Sequence, residues 1–397
     1  MRRVPENVLI VGGGLAAQRA AETLRARGHH GPIRVVCGEP VAPYDRPPLS
    51  KELLATGAGE PRFRPAAWYE EHGVELLLGR RAAALDVARR RVRLEDGAEL
   101  AYGDLIVSTG SHPRRLPGLA GRPNVHVLRT LADARALHAA LAPGVRLAIV
   151  GAGFIGQEVA ATARALGAEV CLIEAMSAPL LGVLGPRLGG WFAELHRAEG
   201  VRVELDVAVA EARPAVAGAP VRELALSDGR TIAADLVLVA VGVAPETRWL
   251  AGSPLAGDGI AVDAGARTAV PHVFAAGDVA RPLDPDTGAR IRCEHWEPAA
   301  RLGTAAARSI LGLDPAPAPP ASFWSDQYGV RIQLVGEAAG ADAVELDGRL
   351  EAREFTAVLT RRGVLAGALL VGRPRELPIW RRRLADARPA RPERSAA

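Results

Sequence analysis

Apolar runs that lead into glycine clusters occur twice along the 397-residue chain, and a helical pattern follows each of them. The first run covers 8–11 and meets the glycines at 12–14, and the second covers 147–150 and meets the glycine-rich stretch 151–156. Continuous apolar runs of this length are typical of strands buried on both faces of a parallel sheet. The two occurrences lie about 139 residues apart, which is too far for a solenoid repeat. The pattern therefore predicts two βαβ units in one chain.

Each predicted unit continues and closes in the same way. A second apolar strand follows the helix, at 33–36 and at 170–173, and a glutamate stands just past its end. A later apolar strand runs into a glycine in both units, at 104–110 and at 235–242, and a further strand is predicted between 262 and 277. Strands that alternate with helices in this order predict an α/β fold with parallel sheets.

The pattern changes beyond a proline-rich, linker-like stretch at 315–320. Short alternating strands are predicted at 330–335, 354–359 and 364–371, and they indicate a small α+β C-terminal domain. The last residues, from about 387 onward, are rich in Arg, Pro and Ala, and we expect them to be disordered.

Composition excludes several classes of protein. Apolar residues make up 49% and charged residues 24% of the chain, which is typical of a folded globular protein. The formal net charge of +4 is too small to indicate nucleic-acid binding. No apolar run reaches the ~20 residues of a membrane span, and the first strand begins too early to leave room for a signal peptide. We expect a cytoplasmic protein that binds neither nucleic acid nor a membrane.

Three cysteines and a single lysine are informative. Cys37, Cys171 and Cys293 lie far apart, which argues against a disulfide framework, a zinc ribbon or a paired-thiol centre, and no metal site is predicted. Cys37 and Cys171 fall on the second strands of the two units, where a cysteine behaves as a small apolar residue. Lys51 is the only lysine beside 48 arginines, which indicates a position where a guanidinium cannot replace an ammonium.

Both glycine clusters have the spacing of a dinucleotide-binding turn, Gly12-x-Gly14-x-x-Ala17 and Gly151-x-Gly153-x-x-Gly156. The first glycine permits the tight turn, the second lets the backbone approach a pyrophosphate, and the small third residue allows close helix–strand packing. The helix N-terminus offers unpaired N–H groups to the phosphates. Two copies, each with strand, helix and terminal acid, predict two dinucleotide sites.

The terminal acids are Glu39 and Glu174, and each is suited to accept hydrogen bonds from ribose hydroxyls. A carboxylate repels the 2′-phosphate of NADP, and the residues after Glu174, Ala175 and Met176, are not basic. The second site is therefore predicted to prefer NADH. Two dinucleotide sites in one chain have a simple chemical use, in which one holds a flavin and the other delivers hydride to it.

Four further segments carry a specific resemblance: YDRPPLSK at 44–51, FAAGD at 274–278, EHW at 294–296 and FWSDQ at 323–327. With the two glycine turns, and in the same order, they resemble the FAD-dependent NADH:ferredoxin reductases of bacterial oxygenase systems, within the pyridine nucleotide-disulfide oxidoreductase superfamily. The resemblance extends from about Asn7 to Pro378. These reductases serve Rieske dioxygenases and ferredoxin-dependent cytochromes P450.

The resemblance implies an α/β fold with two Rossmann-like dinucleotide-binding domains, one for FAD and one for NAD, the second inserted in the first. A small α+β domain would follow and cover the flavin. The implied boundaries are 1–114 and 247–320 for the FAD-binding domain, 115–246 for the NAD-binding domain, 321–386 for the C-terminal domain, and 387–397 for a disordered tail.

The resemblance also implies which residues hold FAD. Residues 12–17, including Gly12, Gly14, Leu15, Ala16 and Ala17, would hold its pyrophosphate, and Glu39 its adenosine ribose. Arg46 would bind the adenine side, Arg129 would meet the flavin nucleotide, and Asp278 would bind the ribityl chain. Trp296 and Trp324 would flank the flavin ring. Further cofactor contacts are implied for Thr109, Gly242, Gly277 and Glu294.

The residues implied for NADH are Gly151, Gly153, Phe154, Ile155, Gly156, Glu158 and Glu174. Glu158 would point towards the nicotinamide and pair with Lys51 beside the flavin, and these two are the catalytic residues that we predict. Hydride transfer builds negative charge on the flavin ring, which a nearby ammonium stabilises. An opposing carboxylate keeps a buried lysine charged. The predicted role of the pair is electrostatic, because the flavin carries the chemistry.

Plainer interpretations of the same residues stay open at this point. Lys51 fits a solvated surface position, Glu158 fits the helix macrodipole alone, and Asp278 fits a helix cap. Trp296 and Trp324 also fit ordinary core positions. His295 is assigned no catalytic role.

The predicted reaction is hydride transfer from NADH to FAD, followed by single-electron steps to a [2Fe–2S] ferredoxin. A basic chain suits an acidic ferredoxin as partner, and a cytochrome P450 or Rieske oxygenase is expected downstream. Two alternatives remain at this stage. An NADH oxidase or disulfide reductase would use a thiol near the flavin, for which Cys293 is the one candidate. A redox-responsive binding protein that resembles apoptosis-inducing factor would not be an enzyme.

Overall fold

A computed structural model describes residues 7–284, 288–314, 316 and 319–387. The α-helices in these ranges are α1 Leu15–Ala26, α2 Glu52–Thr56, α3 Ala66–Glu71, α4 Leu131–Ala140, α5 Phe154–Ala165, α6 Leu181–Ala198, α7 Trp296–Ile310 and α8 Leu377–Ala387.

The strands in the same ranges are β1 Val8–Val11, β2 Ile33–Cys37, β3 Val74–Leu78, β4 Ala82–Asp86, β5 Arg91–Leu94, β6 Glu99–Ala101, β7 Asp104–Val107, β8 Ser111–Pro113, β9 Val125–His126, β10 Arg146–Val150, β11 Glu169–Ile173, β12 Arg202–Glu204, β13 Val209–Arg213, β14 Glu223–Leu226, β15 Thr231–Ala233, β16 Leu236–Val239, β17 Val243–Pro245, β18 Ile260–Val262, β19 Val273–Ala275, β20 Ala280–Pro282, β21 Ser322–Gln327, β22 Val330–Gly336, β23 Ala343–Arg349, β24 Glu354–Arg361 and β25 Val364–Val371.

The first large sheet has the strand order β19-β7-β1-β2-β3, and its neighbouring strands all run parallel. Its central strand β1 is buried along its whole length, as the continuous apolar run predicts, and its core includes α1 as well as Val92 and Leu94 of β5. β19 joins this sheet from far along the chain, beside β7. Within the range 262–277 predicted as strand, Val262 is the last residue of β18 and only Val273–Ala275 form a further strand, β19. A turn held by Asp263 follows β18.

The second large sheet has the order β12-β11-β10-β16-β9 and is also parallel. All of its strands come from the segment between β9 and β16. An antiparallel ribbon of β8 and β17 lies where the chain passes between the two sheets. Both sheets carry a small antiparallel three-stranded sheet, β4-β5-β6 in the first case and β13-β14-β15 in the second.

The C-terminal part is an antiparallel sheet of order β21-β22-β25-β24-β23 with α8 on one face. On its other face, Phe355 and Leu369 pack against Leu188 and Phe192 of α6, so α6 and the C-terminal sheet share one apolar core. The alternating pattern predicted three of these strands; β21 and β23 were missed. Ala387, the first residue of the predicted disordered tail, is the last residue of α8, and the rest of that tail lies outside the described residues.

The fold class is confirmed: two Rossmann-like α/β units and a smaller C-terminal α+β unit. Of the predicted linker 315–320, three residues lie outside the described part of the chain. Among the helices that the structure describes, none combines the length and the apolar character needed to cross a bilayer.

The close contact of α1 with α7 generates a first prediction. A Cβ atom added to Gly303 in α7 would lie 2.2 Å from the carbonyl oxygen of Ala16 in α1, so the two helices must separate in Gly303→Ala. We expect this change to lower the free energy of unfolding by about 1–3 kcal/mol. Urea unfolding measures the difference.

Gly190→Ala in α6 is the matched control for this prediction. Outside the backbone of α6, no heavy atom lies within 4 Å of the added Cβ atom of Gly190. Alanine is the better helix former by about 1 kcal/mol, so this variant should keep or gain stability. Equal losses in both variants would contradict the packing argument.

Candidate functional site

A cavity of about 640 Å³ lies between the two glycine turns and the C-terminal sheet. Gly14 of the first turn, Gly153 of the second and Trp324 of β21 all line it. The two turns follow β1 and β10, so the cavity lies at the carboxyl ends of both parallel sheets. This is where open α/β sheets bind their ligands.

The glycine turns have the geometry that a dinucleotide requires. Gly12 has φ +126° and Gly151 has φ +106°. A Cβ atom added to Gly12 would lie 2.1 Å from the carbonyl oxygen of Ser108, and one added to Gly151 would lie 2.5 Å from that of Ala240. At Gly14 and Gly153, by contrast, an added Cβ atom would meet nothing within 4 Å, because their backbone faces open space. The residues present therefore fit a pyrophosphate that approaches the backbone closely.

The helix N-termini complete these turns. Gly14 and Gly153 are the N-cap residues of α1 and α5, and neither helix has a side chain that caps it. The first N–H groups of both helices are thus available to the oxygens of a phosphate.

Most of the predicted site residues line the one cavity: Gly14, Leu15, Ala16, Arg46, Lys51, Thr109, Arg129, Gly153, Phe154, Ile155, Glu158, Gly242, Gly277, Asp278, Glu294, Trp296 and Trp324. The others, Gly12, Ala17, Glu39, Gly151, Gly156 and Glu174, are not in its lining. Four of these six, Gly12, Ala17, Gly151 and Gly156, belong to the tightly packed part of the glycine turns. At Gly156, for example, an added Cβ atom would lie 2.2 Å from the carbonyl oxygen of Gly151.

The two terminal acids lie just beyond the cavity and are held by local donors. Glu39 accepts a hydrogen bond of 2.6 Å from the hydroxyl of Tyr44 and pairs with Arg46 at 3.3 Å. Glu174 accepts hydrogen bonds from the backbone N–H groups of Ala152 (2.8 Å) and Met176 (3.0 Å). Each carboxylate is therefore fixed at the end of a second strand, beside its glycine turn.

An ion pair joins two distant segments at one side of the cavity. Arg129 Nη2 lies 2.8 Å from Asp278 Oδ2, and the hydroxyl of Ser111 donates to the same oxygen at 2.8 Å. Asp278 follows Gly277, whose φ of +78° turns the chain at the end of β19. Asp278 caps no helix through its side chain, so the interpretation as a helix cap is wrong.

Lys51 and Glu158 form the most buried ion pair of the site. Lys51 Nζ lies 2.6 Å from Glu158 Oε2, with side-chain exposures of 19% and 5%. The ammonium also donates to the carbonyl oxygen of Pro47 at 3.2 Å. The interpretation of Lys51 as a solvated surface residue is therefore wrong. Glu158 lies on the second turn of α5, and its side chain turns away from water towards Lys51.

Aromatic side chains also line the cavity. The ring centroids of Trp296 and Trp324 are 6.0 Å apart at an interplanar angle of 61°. The indole N–H of Trp296 donates to Asp45 at 2.9 Å, and burial raises the pKa of the Asp45 carboxyl. His295 stacks on Phe323 with centroids 4.4 Å apart. Both tryptophans thus lie at the cavity rather than in an ordinary core.

Cys293 lines the cavity, but its environment does not activate it. Burial is the largest cause that raises the pKa of this thiol to about 11, and burial also raises the pKa of Cys171 to about 11 and that of Cys37 to about 12. A nucleophilic thiol needs a lowered pKa. Among the described residues, no group of three His, Cys, Asp or Glu side chains could hold a metal ion.

Several functional neighbours were missed by sequence reasoning. Tyr44, Asp45 and Ser50 lie within the segment 44–51 and Ser325 within 323–327, so the signal that could have found them was the motif itself. Ser111 had no such local signal, because it reaches Asp278 only through the ribbon of β8 and β17.

Two Rossmann-like units whose glycine turns open onto one cavity define an oxidoreductase that uses two dinucleotides. Residues 6–303 match the pyridine nucleotide-disulphide oxidoreductase family, and residues 322–397 match the reductase C-terminal family. The chain belongs to the pyridine nucleotide-disulphide oxidoreductase family, which confirms the predicted superfamily. Membership also confirms a flavoprotein oxidoreductase with FAD and NAD(H) as its cofactors.

Individual relatives are similar over nearly the whole chain. The anthranilate 1,2-dioxygenase system ferredoxin–NAD(+) reductase component of Burkholderia cepacia is 39% identical over 95% of this chain and 93% of its own length. The biphenyl dioxygenase system ferredoxin–NAD(+) reductase component of Paraburkholderia xenovorans (strain LB400) is also 39% identical, over 94% of this chain and 92% of its own length. The crystal structure of the covalent putidaredoxin reductase–putidaredoxin complex matches with a TM-score of 0.92 and 31% identity, covering 96% of this chain and 93% of that one. The predicted resemblance to oxygenase-system ferredoxin reductases is thereby confirmed.

The raised thiol pKa values generate a second prediction. With a pKa of about 11 for Cys293, only about one thiol in ten thousand is ionised at pH 7, and thiolate is the reactive form. We expect iodoacetamide to label none of the three cysteines of the folded protein at pH 7, and all three after unfolding in urea. Mass spectrometry counts the labels. Rapid labelling of Cys293 in the folded protein would contradict the burial argument.

Proposed function

We propose that this chain is an NADH-dependent ferredoxin reductase, which passes electrons from NADH through FAD to a [2Fe–2S] ferredoxin. The observation that carries the proposal is the single cavity onto which both glycine turns open, with Lys51 and Glu158 at its side. The relatives support the electron acceptor, since two are named as ferredoxin–NAD(+) reductase components and a matched structure contains putidaredoxin. A Rieske dioxygenase or a cytochrome P450 is the proposed terminal oxygenase.

The proposed division of the chain is 1–114 and 247–320 for FAD, 115–246 for NADH and 321–386 for the C-terminal domain. It is supported by the two large sheets. One contains β1, β2, β3 and β7 together with the distant β19, and the other contains β9, β10, β11, β12 and β16. We propose a cytoplasmic location for the protein.

The first turn and its neighbours are proposed to hold FAD. Gly12, Gly14, Leu15, Ala16 and Ala17 would take the pyrophosphate at the N-terminus of α1. Glu39 and Arg46, which already pair with each other, would hold the adenosine end. Arg129, which pairs with Asp278, would meet the flavin nucleotide, and Asp278 would bind the ribityl chain. Thr109, Gly242, Gly277 and Glu294 would make further cofactor contacts.

The second turn is proposed to hold NADH. Gly151, Gly153, Phe154, Ile155 and Gly156 would take its pyrophosphate at the N-terminus of α5, and Glu174 its adenosine ribose. Because Glu158 lies on the same helix, binding at the turn would bring the nicotinamide end towards Lys51.

The pair Lys51–Glu158 is proposed to act electrostatically during hydride transfer. Bound flavin supplies a ring that accepts a hydride and releases electrons one at a time. The ammonium of Lys51 faces the cavity and would stabilise negative charge as it develops there. Glu158 lies 2.6 Å away and provides the counter-charge for that ammonium in a partly buried place. Trp296 from α7 and Trp324 from the C-terminal sheet would flank the ring.

A thiol-based reaction is disfavoured by the cysteines themselves. Cys293 is the cysteine in the cavity lining, and burial raises the pKa of its thiol to about 11. A disulfide reductase needs a reactive thiolate in that position.

Electron transfer to a ferredoxin is the decisive experiment. NADH-driven reduction of cytochrome c by the FAD-loaded protein should accelerate ~10-fold or more when an acidic [2Fe–2S] ferredoxin is added, and added salt should diminish the gain. Stopped-flow absorbance measures the rates. No acceleration by several ferredoxins, together with NADH-dependent dimerisation, would instead favour the binding protein that resembles apoptosis-inducing factor.

Replacement of the second terminal acid tests the cofactor preference. Glu174→Arg removes the acceptor for the ribose hydroxyls and adds a charge that attracts a 2′-phosphate. We expect the ratio of kcat/KM for NADH to that for NADPH to fall at least about tenfold, a change of about 1.4 kcal/mol. Glu169→Arg is the control, because Glu169 lies exposed at the other end of β11 and gives the same change in net charge. An unchanged ratio in Glu174→Arg would exclude the ribose role.

A further inference from the structure

The carboxylate of Glu158 is held by three donors from two other parts of the molecule. Lys51 Nζ and the hydroxyl of Ser50 both approach Oε2, and these two residues directly precede α2. The hydroxyl of Ser325 donates to Oε1 at 2.7 Å from strand β21 of the C-terminal sheet. Ser325 is completely buried, so no water competes for its hydroxyl.

The proton of Ser325 is directed at Glu158 by a second hydrogen bond. The side-chain amide of Gln327 donates to Ser325 Oγ at 3.1 Å and occupies an acceptor position of that oxygen. A hydroxyl has one proton to donate, and the nearby carboxylate oxygen accepts it. Gln327 is also buried, at 1% exposure, two residues further along the same face of β21.

The backbone of β21 is fixed relative to α5 by aromatic packing. Phe323 stacks on His295 just before α7, and its ring centroid lies 4.5 Å from that of Phe154, the first residue of α5. Because Glu158 lies one turn further along α5, the packing of Phe323 fixes the separation across which Ser325 reaches it.

We propose that Ser325 is a positioning residue, through which the C-terminal domain orients Glu158 so that its other oxygen meets Lys51. This inference rests on the proposed role of the Lys51–Glu158 pair and assigns the C-terminal domain a part in it beyond covering the cavity. Without the hydroxyl, Oε1 would be a buried carboxylate oxygen that has lost its donor. The carboxylate would then rotate towards another donor, and the ion pair would loosen.

The single lysine of the chain makes the test unusually direct. Protein labelled with [ε-¹³C]lysine and loaded with FAD has one labelled side chain, so its ¹H–¹³C spectrum reports on Lys51 alone. Lys51→Met removes the signal and assigns it. Glu158→Gln marks the position of the signal when the carboxylate charge is absent. We expect Ser325→Ala to displace the signal from the wild-type position towards that of Glu158→Gln.

Thr356→Val is the matched control. Thr356 is also buried in the C-terminal sheet, at 1% exposure, and its hydroxyl also donates to a carboxylate, that of Glu376 at 2.8 Å. This variant loses an equivalent hydrogen bond on β24, so it should leave the Lys51 signal in place. Thermal unfolding of both variants shows whether they lose stability to the same extent.

Kinetics of the same variants provide the second readout. In Ser325→Ala the rate constant of flavin reduction by NADH should fall about tenfold while the dissociation constant of NAD⁺ stays within about twofold. A Lys51 signal that stays at the wild-type position in Ser325→Ala, while Glu158→Gln displaces it, would overturn the proposal. So would an equal displacement in Thr356→Val. A displaced signal in a protein that reduces no ferredoxin would support the positioning role while the proposed function fails.

Discussion

The buried ion pair between Lys51 and Glu158 is the interaction on which the arrangement of the site depends. A carboxylate with 5% of its side chain exposed is costly unless it is paired and fully hydrogen-bonded. Glu158 meets that condition only because α5, the segment around Ser50 and strand β21 are all in place. The pair therefore links the two dinucleotide domains to the C-terminal sheet. Loss of Lys51 would leave the carboxylate without its counter-ion, and loss of either serine hydroxyl would remove a donor from a buried carboxylate.

Helix α5 connects this pair to cofactor binding. Its first turn carries Gly153 as N-cap, with free N–H groups for a phosphate, and its second turn carries Glu158. The spacing between the two is set by helix geometry, about 1.5 Å of rise per residue, and leaves little freedom. One rigid element thus relates the phosphate site that we propose at the N-terminus of α5 to the ammonium that faces the cavity.

The C-terminal sheet has a double attachment to the rest of the molecule. Its apolar face shares a core with α6, in which Phe192 and Phe355 are fully buried. Its first strand, β21, brings Trp324 to the cavity and Ser325 to Glu158, on alternate faces of the strand. Apolar packing in the shared core therefore fixes the position of β21, and with it the positions of its polar side chains.

The sequence by itself determined the two βαβ units, the glycine turns and the terminal acids, because these depend on local apolar pattern and on backbone freedom at Gly12 and Gly151. It also singled out Lys51, which is the only lysine of the chain and lies in the segment 44–51. The tertiary structure alone decided the two serine donors to Glu158 and the contact of Ser111 with Asp278. These pairs join segments far apart in the chain, and no local pattern encodes which distant hydroxyl a folded chain brings to a buried carboxylate.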